Sequence, residues 1–147
     1  MSLERINRYY KKKIPGPEPI IPGKNTFTIF NNYVVGHYTI YGCEVLAYHI
    51  SKRVKNSGVY YVTNDGPNDF HYLVKINDHF VDITGIKTSE EVIEYWNIRT
   101  NTKTKLVKKE DIDHWNFYVN NTIYIRGVDH SDAKSVAKII ISRFITQ

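Results

Sequence analysis

The 147-residue chain has one cysteine, Cys43, and this scarcity excludes several classes of site. A single cysteine cannot form an intramolecular disulfide or a zinc site built on several thiolates. No apolar run approaches the ~20 residues that a membrane-spanning helix needs, so no membrane partner is expected. The N-terminal stretch MSLERINRYYKKK lacks the apolar core of a signal peptide, which predicts a cytoplasmic protein. A glycine-rich phosphate loop and a zinc-protease helix motif are also missing, so no cofactor or metal is predicted.

The composition is that of a globular protein with a basic excess. Hydrophobic residues make up 41% of the chain, and the formal net charge is +5 at pH 7. This length predicts one domain with a substantial core. The positive charges are spread along the chain, which favours a solvated surface over a nucleic-acid footprint. With 12 tyrosines, the same surface defines an alternative function, a non-catalytic binding module for acidic protein or RNA.

Prolines and glycines divide the chain into an N-terminal arm, residues 1–24, and a single α+β domain, residues 25–147. The alternation in TFTIF predicts a strand at 26–30. The next segment, YVVGHYTIY at 33–41, is compatible with a strand or with a loop that crosses the active site. Ser131 is expected to cap the last helix.

The main organising element is a predicted β-hairpin at residues 71–85, HYLVKINDHFVDITG. Apolar and polar residues alternate on both sides of a two-residue turn at Asn77-Asp78. In this register His71 and Asp82 project to the same face of the hairpin as diagonal neighbours. A carboxylate in that place would orient the imidazole and favour its protonated form.

Cys43 begins a predicted helix, CEVLAYHISKRV, whose first-turn amides and positive dipole end favour a thiolate. Together, Cys43, His71 and Asp82 fit a nucleophile, a base and an orienting acid. Each residue alone also has a structural interpretation, since a cysteine in an apolar helix stripe is usually a core residue. Their order and shared geometry favour the triad. The amide of Cys43 would be one oxyanion donor.

The order of these motifs resembles the papain-like cysteine hydrolase superfamily. Gly42-Cys43 opens a helix, His71 starts a hairpin, and Asp82 lies in a returning strand, FVDITG, that is followed by the helical sequence KTSEEVIEYW. The resemblance covers roughly residues 36–96 and is closest to transglutaminase-like proteins and small bacterial or phage relatives. It implies an α+β fold with a papain-like or transglutaminase-like core, in which an N-terminal helix that bears Cys43 packs on a mainly antiparallel sheet and a further helix follows at the C-terminus.

The same resemblance implies an activity and a set of roles. Cys43 would be the nucleophile, His71 the base and Asp82 the orienting residue. The reaction would be hydrolysis or acyl transfer on an amide or ester of peptide, isopeptide or glutamine type, with a protein or peptide as the substrate. Protease branches of the family often place a glutamine six residues before the cysteine as an oxyanion donor. This chain has His37 there, which makes His37 the oxyanion candidate.

Other histidine motifs define weaker alternatives. His37-Tyr-Thr39 has the His-x-Thr form of two-histidine phosphoesterases, a chemistry that needs a second such motif. Only His49-Ile-Ser51 offers a hydroxyl at that spacing, and it lies inside the predicted Cys43 helix. His130 could meet a metal together with Asp129 and Asp132, but such clusters before a helix are usually caps.

Overall fold

A computed structural model of the chain describes residues 2–13, 27–66, 68–122, 124–125 and 128–145. These residues form an α+β fold, as predicted. The helices are α1 (Leu3–Lys13), α2 (Asn32–Ile40), α3 (Cys43–Arg53), α4 (Ser89–Thr100), α5 (Ile112–Asn121) and α6 (His130–Phe144). The strands are β1 (Gly58–Thr63), β2 (Asp69–Ile76), β3 (His79–Asp82), β4 (Gly85–Lys87), β5 (Lys105–Lys108), β6 (Tyr124–Ile125) and β7 (Val128–Asp129).

Strands β1 to β5 form one antiparallel sheet in the order β4-β3-β2-β1-β5. Its centre is the predicted hairpin, since β2 pairs with β3 and Ile76 faces His79 across the turn at Asn77-Asp78. Asn77 has a φ of 56°, in the left-handed region that asparagine tolerates better than most residues. The turn and its register are therefore confirmed.

The two faces of the sheet are covered by different helices. Helix α3 packs along β2 within the larger core, which it shares with α1, α2 and α6. Helix α4 covers the other face, where Trp96 packs with Leu73 and Phe80. Because side chains alternate along a strand, His71 shares the face of Leu73, and Asp82 shares the face of Phe80. The hairpin therefore directs His71 and Asp82 toward α4.

The segment at 33–41 is neither a strand nor a loop, because it forms helix α2. Asn31 caps this helix by accepting a 3.0 Å hydrogen bond from the amide of Val34. Its residues 34–39 are all buried, so the helix has no polar face that the sequence could show. The strand predicted at 26–30 is also wrong. Residues 28–30 form a bend, and position 26 lies outside the described residues.

The N-terminal arm is represented by α1, whose Ile6 and Tyr10 are buried against the domain. Residues 14–26 lie outside the described part of the chain. Two helices thus precede α3, so the helix that bears Cys43 is not the first of the fold. The C-terminal helix, α6, is present, but Asp129 caps it instead of Ser131. Among the described residues, no helix has the length and apolar character to cross a membrane.

Candidate active site

The open end of the β2–β3 hairpin holds a buried imidazole–carboxylate pair. His71 Nε2 lies 2.6 Å from Asp82 Oδ2. The other carboxylate oxygen, Oδ1, accepts hydrogen bonds from the amide and the hydroxyl of Thr84, at 2.7 and 2.5 Å. His71 is 0% exposed and Asp82 is 8% exposed. The carboxylate is thus fixed by three hydrogen bonds and can hold the ring in one orientation.

Cys43 meets the same imidazole from the first turn of α3. Its thiol is a hydrogen-bond neighbour of His71, and the cysteine is 6% exposed. His71 Nδ1 also lies 3.1 Å from the main-chain carbonyl of Thr39. Because Nε2 is bound to Asp82, Nδ1 is the nitrogen through which His71 can exchange a proton with a thiol. The structure therefore brings together Cys43, His71 and Asp82, the three residues that the sequence selects.

The His71–Asp82 pair is held in its charged form. Burial alone would lower the pKa of His71, but the charge interaction with Cys43, the hydrogen bonds to Asp82 and Cys43, and the charge of Asp82 outweigh it and raise this pKa to about 10. Burial alone would raise the pKa of Asp82. The hydrogen bond and positive charge of His71, with a smaller contribution from Lys87, instead hold that pKa well below its usual range. At neutral pH the site thus contains an imidazolium and a carboxylate.

The main chain around Gly42 supports this distribution of charge. Thr39 lies in the last turn of α2, where carbonyl groups carry the negative end of the helix dipole, and its carbonyl accepts from His71. Cys43 lies in the first turn of α3, at the positive end. A Cβ atom at Gly42 would lie 2.5 Å from Tyr38 Cδ1, so the two helices can meet this closely only with glycine between them.

Trp96 and Thr84 belong to the site, although neither was assigned a role from sequence. The indole of Trp96 stacks on the imidazole of His71, and Thr84 anchors Asp82. A signal for Thr84 exists, because a hydroxyl and an amide two residues after an aspartate are in reach of its carboxylate. No comparable local signal exists for Trp96, since it comes from a different element, α4.

His37, the oxyanion candidate, is buried in α2. Its ring packs among tyrosines, with centroids 4.8 Å from Tyr10, 4.9 Å from Tyr38 and 6.1 Å from Tyr41. Its main-chain carbonyl accepts hydrogen bonds from the amides of Tyr41 and Gly42 at the end of the helix. The oxyanion role of His37 stays a prediction.

The remaining histidine motifs are engaged in helix contacts. His49 Nε2 lies 2.9 Å from His130 Nδ1, which ties α3 to the start of α6. The hydroxyls of Thr39 and Ser51 donate to carbonyls within or next to their own helical turns, so they are used locally in both phosphoesterase-like motifs. Within the described ranges, no group of three or more His, Cys, Asp or Glu side chains could hold a metal, a group around His130 included.

The basic, tyrosine-rich surface is partly covered by its own lysines. Lys75 Nζ lies 5.8 Å from the ring centroid of Tyr60, and Lys109 Nζ lies 5.7 Å from that of Tyr61. Lysine stems commonly cover apolar surface in this way while the charged head stays in water.

Comparison of the chain with protein-family models, with curated proteins and with solved structures finds no match. The function has to be inferred from the chemistry of Cys43, His71 and Asp82.

Proposed function

We propose that the protein is a cysteine hydrolase or acyltransferase of papain-like or transglutaminase-like type, acting on an amide or ester through Cys43, His71 and Asp82. Cys43 is the nucleophile, His71 the proton carrier and Asp82 the orienting acid. The substrate carbonyl belongs to a peptide, an isopeptide or a glutamine-type side chain. A cysteine hydrolase requires a thiol, an imidazole and an acceptor on the far ring nitrogen.

The reaction consists of two acyl transfers. The Cys43 thiolate attacks the carbonyl carbon, and the proton on His71 Nδ1 passes to the leaving amine or alcohol as the carbon–nitrogen or carbon–oxygen bond breaks. A thioester on Cys43 remains. Water or a second amine then attacks the thioester while His71 takes up its proton, and the free acid or the new amide leaves with Cys43 restored.

The observation that carries the proposal is the arrangement around one imidazole. His71 is held by Asp82 through Nε2 at 2.6 Å, and Cys43 acts on the same imidazole as a charge and a hydrogen-bond partner. The Thr39 carbonyl and the Asp82 carboxylate already satisfy both ring nitrogens of His71, so a purely structural histidine would not require a buried thiol as well. The charge of Asp82 and its hydrogen bond to His71 favour an imidazolium, and a cation beside a thiol favours its nucleophilic form.

The test is alkylation of Cys43 by iodoacetamide as a function of pH. Because Cys43 is the only cysteine, mass spectrometry reports this residue alone, and Cys43→Ser supplies the blank. The wild-type protein is expected to react well below the pH of about 8.5 at which a free thiol ionises. His71→Ala is expected to abolish this advantage, and Asp82→Asn to weaken it.

A second measurement separates hydrolysis from acyl transfer. The protein is mixed with p-nitrophenyl acetate, with and without a primary amine such as a dansylated diamine. Release of nitrophenol with acetylation of Cys43 supports the first step, and acetyl amide formation identifies the amine as the acceptor. If wild type and His71→Ala both alkylate like a free thiol, the enzyme proposal is wrong. The binding-module alternative would then be tested by RNA binding that weakens with added salt.

A further inference from the structure

Lys87 places a buried cation next to the candidate active site. It is the last residue of β4 and is 3% exposed. Its ammonium donates a 2.7 Å hydrogen bond to Thr84 Oγ1 and lies 5.7 Å from the ring centroid of Tyr95. Lysine is almost never fully buried unless it is paired, because taking an ammonium out of water is costly. The proposed catalytic steps do not use Lys87, and they therefore do not explain why this lysine is buried beside the site.

The donor and the acceptor can be assigned for the hydrogen bonds that link Lys87 to Thr84 and Thr84 to Asp82. An ammonium has donors and no acceptor, so Thr84 Oγ1 must accept from Lys87. The single hydroxyl proton of Thr84 is then left to donate to Asp82 Oδ1, which also accepts from the Thr84 amide. Oδ1 therefore accepts two hydrogen bonds, which favours the ionised form of Asp82. The Oδ2 atom of an ionised Asp82 can bond to His71 Nε2 only if that nitrogen carries the proton.

We propose that Lys87 is a positioning residue that, acting through Thr84, keeps Asp82 ionised and fixes the proton of His71 on Nε2. This inference rests on the proposed function, because it matters for catalysis only if Nδ1 exchanges a proton with Cys43. The charge of Lys87 also lowers the pKa of Asp82 directly. The titratable and charged groups that act on this carboxylate are His71 on β2, Lys87 on β4 and Tyr95 on α4. Cys43 on α3 acts on His71, and Arg99 on α4 acts on Tyr95.

The test compares the pH profile of Cys43 alkylation in the intact protein and its variants. Lys87→Met removes the charge and keeps the stem, and Thr84→Val removes the hydroxyl and keeps the shape. Each is expected to move the profile up by about one pH unit or more, which is about tenfold in rate at a fixed acid pH. Thr84→Ser keeps the hydroxyl and is expected to restore the wild-type profile. Lys75→Met makes the same exchange on β2, away from the site, and is the matched control.

The outcomes separate this inference from the proposed function. An unchanged profile in folded Lys87→Met and Thr84→Val, with wild-type Cys43 still activated, overturns the role of Lys87 alone. If Lys87→Met fails to fold, the contrast between Thr84→Val and Thr84→Ser decides the question.

Free-thiol behaviour of the wild-type protein would refute the enzyme proposal. The Lys87 inference is then decided by NMR of the protein with ¹⁵N-labelled histidine. A shift of this proton from Nε2 toward Asp82 in Lys87→Met, seen as a smaller one-bond ¹⁵N–¹H coupling than in wild type, supports the inference. The same behaviour in both proteins overturns it.

Discussion

The indole of Trp96 lies nearly parallel to the imidazole of His71, with ring centroids 4.8 Å apart and an angle of 26° between the planes. The two residues come from different elements, α4 and β2, so packing of the helix on the sheet brings them together. The flat face of the indole keeps water from the imidazole and supports its orientation between Asp82 and Cys43. Charge interactions in such a dry site are stronger than at the surface.

Trp96→Leu is therefore expected to slow alkylation of Cys43 at neutral pH by about tenfold or more, because a less firmly held imidazole is misplaced relative to the thiol. Trp115→Leu is the matched control. Trp115 is equally buried, but it stacks on Tyr72, with centroids 5.9 Å apart. Both variants are expected to lose a few kcal/mol in the free energy of unfolding, measured by urea denaturation. Equal effects of both variants on alkylation would contradict a specific role for Trp96.

Gly42→Ala is expected to destabilise the protein by about 1–3 kcal/mol, because its Cβ would overlap the Tyr38 ring. Any relief of this contact has to move α2 and α3 apart, so Cys43 alkylation at acid pH is expected to slow as well. Gly58→Ala is the control. A Cβ at Gly58 would lie an ordinary 3.6 Å from Tyr60 Cε1, and its free energy of unfolding should change little. Similar losses in both variants would show that the contact with Tyr38 is unimportant.

The His49–His130 contact predicts a dependence of stability on acid pH. Burial, followed by the charges of Arg53 and His130, lowers the pKa of His49 from 6.5 to about 3. Below pH 6.5, His49 binds a proton in the unfolded chain but not in the folded one. The free energy of unfolding therefore falls as the pH falls. The slope contributed by this group is at most about 1.4 kcal/mol per pH unit.

The window between about pH 4.5 and 5.5 suits His49, because His71, with its raised pKa, is largely protonated there in both the folded and unfolded states. Urea denaturation across this window should give a smaller slope for His49→Gln than for wild type. His114→Gln, an exposed position on α5, should keep the wild-type slope. A wild-type slope that persists in His49→Gln would mean that another group is responsible.

The cap of α6 can be tested by a pair of neighbouring alanine variants. The side chain of Asp129 accepts a 2.7 Å hydrogen bond from the amide of Ser131, which satisfies one of the free donors at the start of the helix. Asp129→Ala is expected to cost about 1 kcal/mol in the free energy of unfolding. Ser131→Ala should cost only a few tenths. The reverse order would favour Ser131, the cap that the sequence predicted.

The sequence predicted the hairpin well because two independent signals agree there. Alternation of apolar residues defines the faces of β2 and β3, and Asn77-Asp78 sets the register. The helix at Cys43 was equally accessible, because its apolar stripe depends on residues close together in the chain. Most of the candidate triad could thus be predicted from short-range sequence signals.

Helix α2 could not be predicted in the same way. Its sequence is rich in β-branched and aromatic residues and contains Gly36, all of which argue against a helix. Complete burial of residues 34–39 removes the amphipathic pattern that normally identifies one. Tertiary packing decides the structure here. The contribution of the Thr39 carbonyl to the site was hidden for the same reason.

Lys87 illustrates a different limit of sequence reasoning. A lysine at the end of a short strand is normally solvated, and only the fold shows that it is buried against Thr84 and Tyr95. Burial of a charged side chain depends on distant elements, in this case α4. Residues that support the triad from outside were therefore less predictable than the triad itself.

At the junction of α2 and α3, the main-chain amides at the start of α3 favour a negative charge at position 43. This polarity comes from the main chain and not from the sulfur atom. This polarity would remain after the side chain is exchanged. The imidazolium of His71, in contrast, depends in part on a negative charge at position 43. A carboxylate in the same place, as in Cys43→Asp, would then be a permanent anion facing His71. Under the proposed enzyme function, such a variant would imitate the charged site without reacting, and it would be suited to holding a substrate without converting it.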